Sequence, residues 1–408
     1  KCDREQRKKM VDKLEWLNNE FVQRVLQYNE YDTSINVTNI SAKPATSKGD
    51  NYASDMYRVT VKYTQKEGKT RVNKETSIVC KFEPLEEDAR RIMSMGIFEN
   101  EIFMMSNSLR KMQQMLGTRL GANVLYFRME RPVCLILEDL ARLGFRMADR
   151  FRGLDFDHSK LTLQSLGKFH AASVALCEKE PKLKTVYQKG ILYEGMPTEF
   201  KFFFISAIKA LGDDLANWPQ DVKRYQDKVK KFAEVVYDRG IAALQRNDDE
   251  FNVINHGDSW TNNMMYRYDE NSKPVQHVFV DYQMSIYTSP AIDLLYFLNA
   301  TVQNEVNTEN LIEEYVNTLT STMKRLGCKT APPTVKDIKR YMRERIAWGM
   351  VAAATVLPFT LMDKSQVVSI DELIKKRDTF DYPGTKNPMY RKVMAERLAK
   401  FEEAGVFD

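Results

Sequence analysis

Between residues 251 and 281 three short β-type runs, FNVIN, NMMYRY and HVFV, interrupt a chain that otherwise reads as long helices beyond residue 138. The helical stretches, 161–177, 199–211, 222–244, 309–326 and 335–357, carry apolar residues at helical spacing. Strands and helices bury their apolar faces with different periods. A chain that switches from one pattern to the other and back must therefore fold as α+β, here with a small β insert set among helices.

The first third has the opposite character. Residues 57–63 (YRVTVKY) and 76–82 (TSIVCKF) are rich in β-branched and aromatic side chains, and the turn Lys66-Glu67-Gly68-Lys69 lies between them, so they predict an antiparallel hairpin. Further short strands are expected at 123–128 and 133–137. Over 86–115, Ile92, Met95, Phe98, Ile102, Met105 and Leu109 recur every three or four residues and predict one long amphipathic helix. With 408 residues, 43% of them hydrophobic, the chain can bury two cores. The expected division is 1–137 and 138–408, with a hinge at about 136–142, and a cleft between two lobes is a usual place for a ligand. No internal repeat or low-complexity segment is present.

Lys and Arg number 61 against 56 Asp and Glu, a balance of +5. The charges lie in mixed-sign runs such as 223–231, which describe a solvated surface first and only a weak pull on anionic ligands, and no nucleic-acid partner is expected. The five cysteines, Cys2, Cys80, Cys134, Cys177 and Cys328, form no C-x-x-C pair. Zinc and dithiol redox chemistry thus lack a framework, and free thiols in a reducing, cytoplasmic setting are expected. The longest apolar run, 348–362, contains Gly349 and Pro358 and falls short of the roughly 20 residues of a membrane span. It reads as a buried core helix. The residues that follow Lys1 are charged and read as helical rather than signal-like.

The strongest local signal is His256-Gly257-Asp258-Ser259-Trp260-Thr261-Asn262-Asn263. It sets a carboxylate just after a strand and an amide five positions later. Such a loop can present the carboxylate to an attacking hydroxyl and the amide oxygen to a metal. A second carboxylate, Asp281, ends the run Val278-Phe279-Val280, 23 residues beyond Asp258. A β-hairpin between them would bring Asp258, Asn263 and Asp281 to one edge. Hard oxygen ligands, too few for a closed cage, suit Mg²⁺, which fills its other positions with phosphate and water. Taken singly, an Asp or Asn near a strand end is usually a turn or cap residue; the ordered set carries the reading. His256 is expected to pack and bond within the loop. His170, on a helix face with Leu166, Phe169 and Ser173, reads as a satisfied core histidine.

The pattern H-G-D-x-x-x-x-N, a hydrophobic strand ending in Asp, and then Ser289-Pro290-Ala291-Ile292-Asp293 resembles the aminoglycoside phosphotransferase and choline kinase group of protein-kinase-like enzymes. Within that group the likeness is to the insect ecdysteroid kinase-like family. Lys48-Gly49-Asp50-Asn51-Tyr52-Ala53-Ser54, Phe98-Glu99-Asn100-Glu101, Leu137-Glu138-Asp139-Leu140 and Phe169-His170-Ala171-Ala172-Ser173 extend it, so that it spans residues 48–293. The resemblance implies a bilobal protein-kinase-like fold: an antiparallel N-lobe sheet with one long helix, and a larger, mainly helical C-lobe.

It also implies an ATP-dependent kinase, with Mg²⁺, that transfers the γ-phosphate to an alcohol. Asp258 would accept or orient the hydroxyl proton, while Asn263 and Asp281 would hold the metal. Lys81 would contact the α- and β-phosphates and pair with Glu101, for which Glu99 is a neighbouring candidate. The turn carrying Gly49, Asn51 and Ser54 would cover the phosphates, with one glycine where protein kinases have three. Main-chain groups of Glu138, Asp139 and Leu140 would bond the adenine edge, and Asp293 would brace the loop from behind.

The apolar helical lobe suits a small lipophilic alcohol; the resemblance supplies the ecdysteroid or related steroid or xenobiotic. Trp260, Phe203 and Trp348 are the candidates for the acceptor pocket, although the 202–204 run and the helix around Trp348 also read as core. A choline or ethanolamine kinase is the nearest alternative and would need an aromatic or acidic cage for its cation. An inactive ligand carrier would commonly have lost Lys81, Asp258, Asn263 or Asp281, and all four are present. A protein kinase fits less well, because Tyr282-Gln283 follows Asp281 where Phe-Gly is expected and only seven residues precede Ser289. Oligomeric state is not written in the sequence.

Overall fold

The computed structural model describes residues 16–45, 54–83, 95–362 and 383–408. The chain forms two compact units, Lys1–Arg90 with Ala122–Gly144, and Arg91–Gly121 with Phe145–Asp408. The turn around Gly49 and Asn51 and the first part of the 86–115 stretch lie outside the described residues.

In the first unit, β1 (Asn36–Pro44), β2 (Asp55–Glu67), β3 (Thr70–Phe82), β4 (Val124–Arg128) and β5 (Cys134–Glu138) form an antiparallel sheet of order β1-β2-β3-β5-β4. The predicted hairpin is β2–β3. Its register closes at Glu67 opposite Thr70, with Gly68 at φ +61 supplying the left-handed turn residue. Tyr57, Val59 and Val61 alternate inward along β2 and pack with Ile78, Cys80 and Phe82 of β3. The helix Asn19–Asn29 adds Val22 and Leu26 to the same core. The side chain of Asn18 caps this helix by accepting from Phe21 N–H at 2.9 Å. β1 was not anticipated, because only Val37 in it is buried and so no alternating apolar signal marks it.

The helical run expected up to residue 115 appears as Ile97–Phe103, a π-helical Met104–Leu109 and Arg110–Leu116, and it groups with the second unit. Within the wide turn Ser106 donates its hydroxyl back to Ile102 O at 2.6 Å. The long helices Phe156–Lys179 and Thr308–Leu326 pack closely at Gly167, where a Cβ would stand 3.1 Å from Tyr315 O. Helices Thr198–Asp214 and Gln226–Leu244 follow the predicted pattern.

The single helix expected over 335–357 is instead broken into Val335–Glu344, Ile346–Thr355 and Leu357–Thr360. At the first break Arg345 takes φ −112 and its guanidinium meets Glu250 at 2.6 Å, with both side chains buried. At the second, Pro358 lacks the N–H that would continue the preceding turns. The run 348–362 is core, as its composition suggested. No helix among the described residues is long and apolar enough to cross a membrane. Cys80, Cys134, Cys177 and Cys328 are free, and burial pushes the thiols of Cys134 and Cys177 up to about 12. They behave as small hydrophobes.

The β insert consists of β6 (Val253–Asn255), β7 (Met264–Tyr268), β8 (Pro274–Phe279) and β9 (Ile286–Thr288), paired as β6–β9 and β7–β8. The fold is thus α+β, an antiparallel sheet in the first unit and a mainly helical second unit with a small β insert.

Candidate active site

The loop after β6 can be traced to a few backbone demands. Gly257 sits at φ +83, and a Cβ there would fall 2.0 Å from Met284 O, so only glycine fits. The turn it makes is held by Asp293, in the first turn of the helix Ala291–Ala300. Its Oδ2 accepts His256 N–H at 2.7 Å and its Oδ1 accepts Gly257 N–H at 2.9 Å. Ser259 Oγ donates to the carbonyl of Asp293 at 3.2 Å, and Asp293 N–H donates to Asn255 Oδ1 at 3.3 Å.

Behind Asp293 stands His170, its Nε2 3.1 Å from Oδ2 and its Nδ1 2.8 Å from the Tyr315 hydroxyl. Burial alone would raise the Asp293 carboxyl. The hydrogen bond and charge of His170, with the Gly257 N–H, outweigh it and hold the group below its ordinary value. His170 is the satisfied core histidine that the sequence implied.

His256 packs inside the loop. Its Nε2 donates to Val280 O at 3.0 Å, which leaves Nδ1 to accept Asp258 N–H at 3.3 Å. Burial lowers the pKa of this imidazole against the opposing pull of Asp293 and Asp281, so the ring stays neutral. It is a structural part of the loop and not a competing base.

Asp258 follows, half-buried. Its Oδ1 accepts the Tyr296 hydroxyl at 2.5 Å and its Oδ2 accepts Asn263 Nδ2 at 2.8 Å. Burial, helped by the negative charges of Asp281 and Asp293, pushes the carboxyl up to about 7 against the hydrogen bonds of Tyr296 and Asn263, which pull it down. A carboxyl poised near neutrality in a loop of this kind is suited to take a proton.

Asn263 and Asp281 are brought together by the β7–β8 hairpin. Met264 pairs with Phe279, and Val280 N–H donates to Asn263 O at 3.0 Å, which extends the ladder by one step toward Asp281. Asp281 itself adopts φ 66 and ψ 65, a left-handed conformation that costs a non-glycine residue energy and is concentrated at functional positions. Among the described residues no group of three or more His, Cys, Asp or Glu side chains could hold a metal. A metal here would therefore depend on the amide as well. Asn263 uses Nδ2 for Asp258, so its remaining polar atom is a hard oxygen. With the Asp281 carboxylate this donor set fits Mg²⁺.

The other expected residues are distributed as follows. Lys81 is buried on β3 of the first unit, and Glu101 is buried on the helix Ile97–Phe103 of the second. Ser54 immediately precedes β2, while Gly49 and Asn51 lie outside the described residues. Glu138 N–H is bonded to Asn123 O at 3.1 Å, so this donor is not one the segment can turn to a base edge. The Asp139 carboxylate accepts Ser77 Oγ at 2.6 Å and Arg58 Nε at 2.7 Å, and Leu140 begins a short 3₁₀ turn that Asp139 caps. Although burial pulls the Asp139 carboxyl up, those bonds hold it below its ordinary value. Its side chain is a brace of the first unit.

Trp260 is half-buried in the loop, and its carbonyl accepts Asn263 N–H at 2.9 Å. Phe203 stacks on Phe359 with ring centroids 6.0 Å apart. Trp348, the third pocket candidate, lies on the helix Ile346–Thr355. It is fully buried, its indole N–H donates to Ile292 O at 3.2 Å, and its ring lies 5.8 Å from that of Tyr296. Tyr296 is the residue that sequence reasoning missed. The available signal was its spacing, one helical turn after Asp293 and hence on the same face.

The ecdysteroid kinase-like family model matches residues 48–328, more than half of the chain, and the chain belongs to that family. A search of curated proteins finds no match. Among solved structures, a putative fructosamine-3-kinase from Haemophilus somnus 129PT aligns over 92% of this chain and 96% of its own, at 9% identity and a TM-score of 0.38. The AMP-bound complex of a spectinomycin phosphotransferase aligns over 82% of this chain and 90% of its own, at 12% identity and a TM-score of 0.39.

Proposed function

We propose that this chain is an ATP- and Mg²⁺-dependent phosphotransferase that moves the γ-phosphate to the hydroxyl of a small lipophilic alcohol, a steroid of the ecdysteroid type or a related xenobiotic. The observation that carries the reading is Asp258, held on both carboxylate oxygens by Tyr296 and Asn263 and tuned to about 7. In this reading Asp258 accepts or orients the proton of the attacking hydroxyl. Asn263 and Asp281 would hold Mg²⁺, which when bound supplies charge compensation at the transferred group. Lys81 takes the α- and β-phosphates, and Glu101 keeps the supporting role that the family resemblance gives it. Asp293 and His170 fix the loop so that Asp258 need not reorganise.

The test is a panel of ecdysteroids, other steroid alcohols, xenobiotic alcohols and choline with γ-labelled ATP, scored by mass shift of the acceptor. Transfer to steroid alcohols, lost in Asp258→Ala and in Asp281→Asn variants that remain folded, supports the reading. Transfer to choline alone would replace the acceptor class, and calorimetry without nucleotide binding, with or without Mg²⁺, would favour a ligand carrier.

A further inference from the structure

The second unit contains a cavity of about 410 Å³ whose lining includes no residue of the 256–263 loop. Arg150, Arg397 and Thr301 face it together with Phe151, Leu361 and Met389. The two arginines are 7% and 5% exposed and Thr301 is 2% exposed. Arg150 donates through Nη1 and Nη2 to the carbonyls of Phe359 and Met362, both at 2.9 Å. Arg397 donates through Nη2 to Val302 O at 2.8 Å and through Nε to Asn304 Oδ1 at 3.3 Å. All four acceptors are neutral.

The carboxylates nearby face other partners: Asp149 lies 3.7 Å from Arg152, Glu305 lies 3.6 Å from Lys392, and Glu396, whose charge acts on Arg397, accepts Asn304 Nδ2 at 2.8 Å. Among the described residues, Arg150 Nε, Arg397 Nη1 and Thr301 Oγ1 have no hydrogen-bond partner. Buried charges are ordinarily paired with an opposite charge, and buried polar atoms are ordinarily bonded. Burial depresses the Arg397 guanidinium to about 10, outweighing the opposing pull of Tyr390 and of the Glu396 carboxylate.

We propose that this cavity binds a small amphiphilic anion, its carboxylate, phosphate or sulfate head set against Arg150, Arg397 and Thr301 and its apolar body against Phe151, Leu361 and Met389. Guanidinium is the side chain best matched to such heads. The apolar walls favour a ligand with a hydrocarbon portion over a bare inorganic ion. The site is independent of the phosphotransferase reading, since it uses none of those residues.

The experiment is calorimetric titration of the full chain with octyl phosphate and octanoate, with octanol and inorganic phosphate as the matched neutral and headgroup-only probes. Both octyl anions are expected to bind saturably, with octanol and inorganic phosphate each at least tenfold weaker. Lys392→Glu, at the exposed rim, should weaken octyl phosphate at least fivefold without changing the melting temperature, and Arg397→Gln should abolish its binding. Asp258→Asn should leave it unchanged. Equal binding of octanol, indifference to Lys392→Glu, or loss in Asp258→Asn would each overturn the proposal. So would sedimentation with anionic lipid vesicles in the absence of any response to the octyl anions.

Discussion

Tyr296 donates its hydroxyl to Asp258 Oδ1 across 2.5 Å, from the same helix whose first turn carries Asp293. One helix therefore fixes two things: the backbone of the 256–263 loop through Asp293, and the carboxylate displayed by that loop through Tyr296. The ring of Tyr296 is in turn set against buried Trp348, so the aim of Asp258 is anchored in the core of the second unit. Each carboxylate oxygen has two lone pairs. The Tyr296 and Asn263 bonds leave acceptor capacity for an incoming hydroxyl.

Replacing Tyr296 by Phe removes a donor that lowers the Asp258 pKa. The carboxyl then rises above its wild-type value of about 7, and the ionised base is reached only at higher pH. The acid limb of kcat/KM for the alcohol should move up by roughly one pH unit, with activity recovered at alkaline pH. A uniform loss across the profile would mean that Tyr296 is only structural. The hydrogen bond itself contributes about 0.5–3 kcal/mol to folding, the upper end applying at pH values where Asp258 is ionised.

Asp258→Asn should separate activity from stability. In the folded chain the Asp258 pKa is raised from 3.8 to about 7, so the protonated form is favoured. The stability this confers is present below the unfolded pKa and is lost as pH rises through the folded one. At pH 8 the wild type must carry an ionised, desolvated carboxylate that the amide does not. The variant should lose at least about a hundredfold in turnover and gain about 1–3 kcal/mol at pH 8, with the gain vanishing near pH 4. Thermal melts at the two pH values decide it.

The β2–β3 hairpin, the β insert and the main helices of the second unit were legible because apolar spacing marks them directly. The placement of Asp258 and Asn263 on one loop, and of Asn263 and Asp281 at one end of a hairpin, was legible because these residues are near in sequence. What escaped depends on tertiary context. Tyr296 looks like one more apolar position in Ala291–Ala300 until the fold aims its hydroxyl at Asp258. The bond of the Trp348 indole to Ile292 O likewise joins positions 56 residues apart, beyond the reach of any local pattern. The break at Arg345 is tied to its meeting with Glu250, 95 residues away, which no local pattern encodes.

Asp293→Asn tests the brace. The wild-type carboxyl is held below its ordinary value, so it contributes stability that is present above the unfolded pKa and is lost as pH falls through the folded one. The amide cannot accept two N–H groups with charge assistance and also match His170. A loss of roughly 3–5 kcal/mol at pH 7 is expected, as for removing one partner of a buried ionic cluster. Because the wild type forfeits the same interactions in acid, the gap between the two melting temperatures should narrow as pH falls toward 3. A constant gap would show that the charge of Asp293 does not matter.

Gly257→Ala attacks the loop at its tightest point. The backbone there is left-handed at φ +83, which costs alanine about 1–2 kcal/mol by itself. The added Cβ would also fall 2.0 Å from Met284 O, a backbone atom that cannot rotate aside. To relieve the clash either the 256–263 loop or the segment after Asp281 must shift. The first movement strains the Asp293 bonds to His256 and Gly257, and the second displaces the neighbourhood of Asp281. A variant that folds should therefore melt several degrees lower and lose most of its phosphoryl transfer, while Gly68→Ala, at φ +61 with open space around it, loses stability alone. Comparing the two by thermal melt and by turnover separates backbone strain from damage to the site, and equal activities in both variants would show that the loop tolerates the shift.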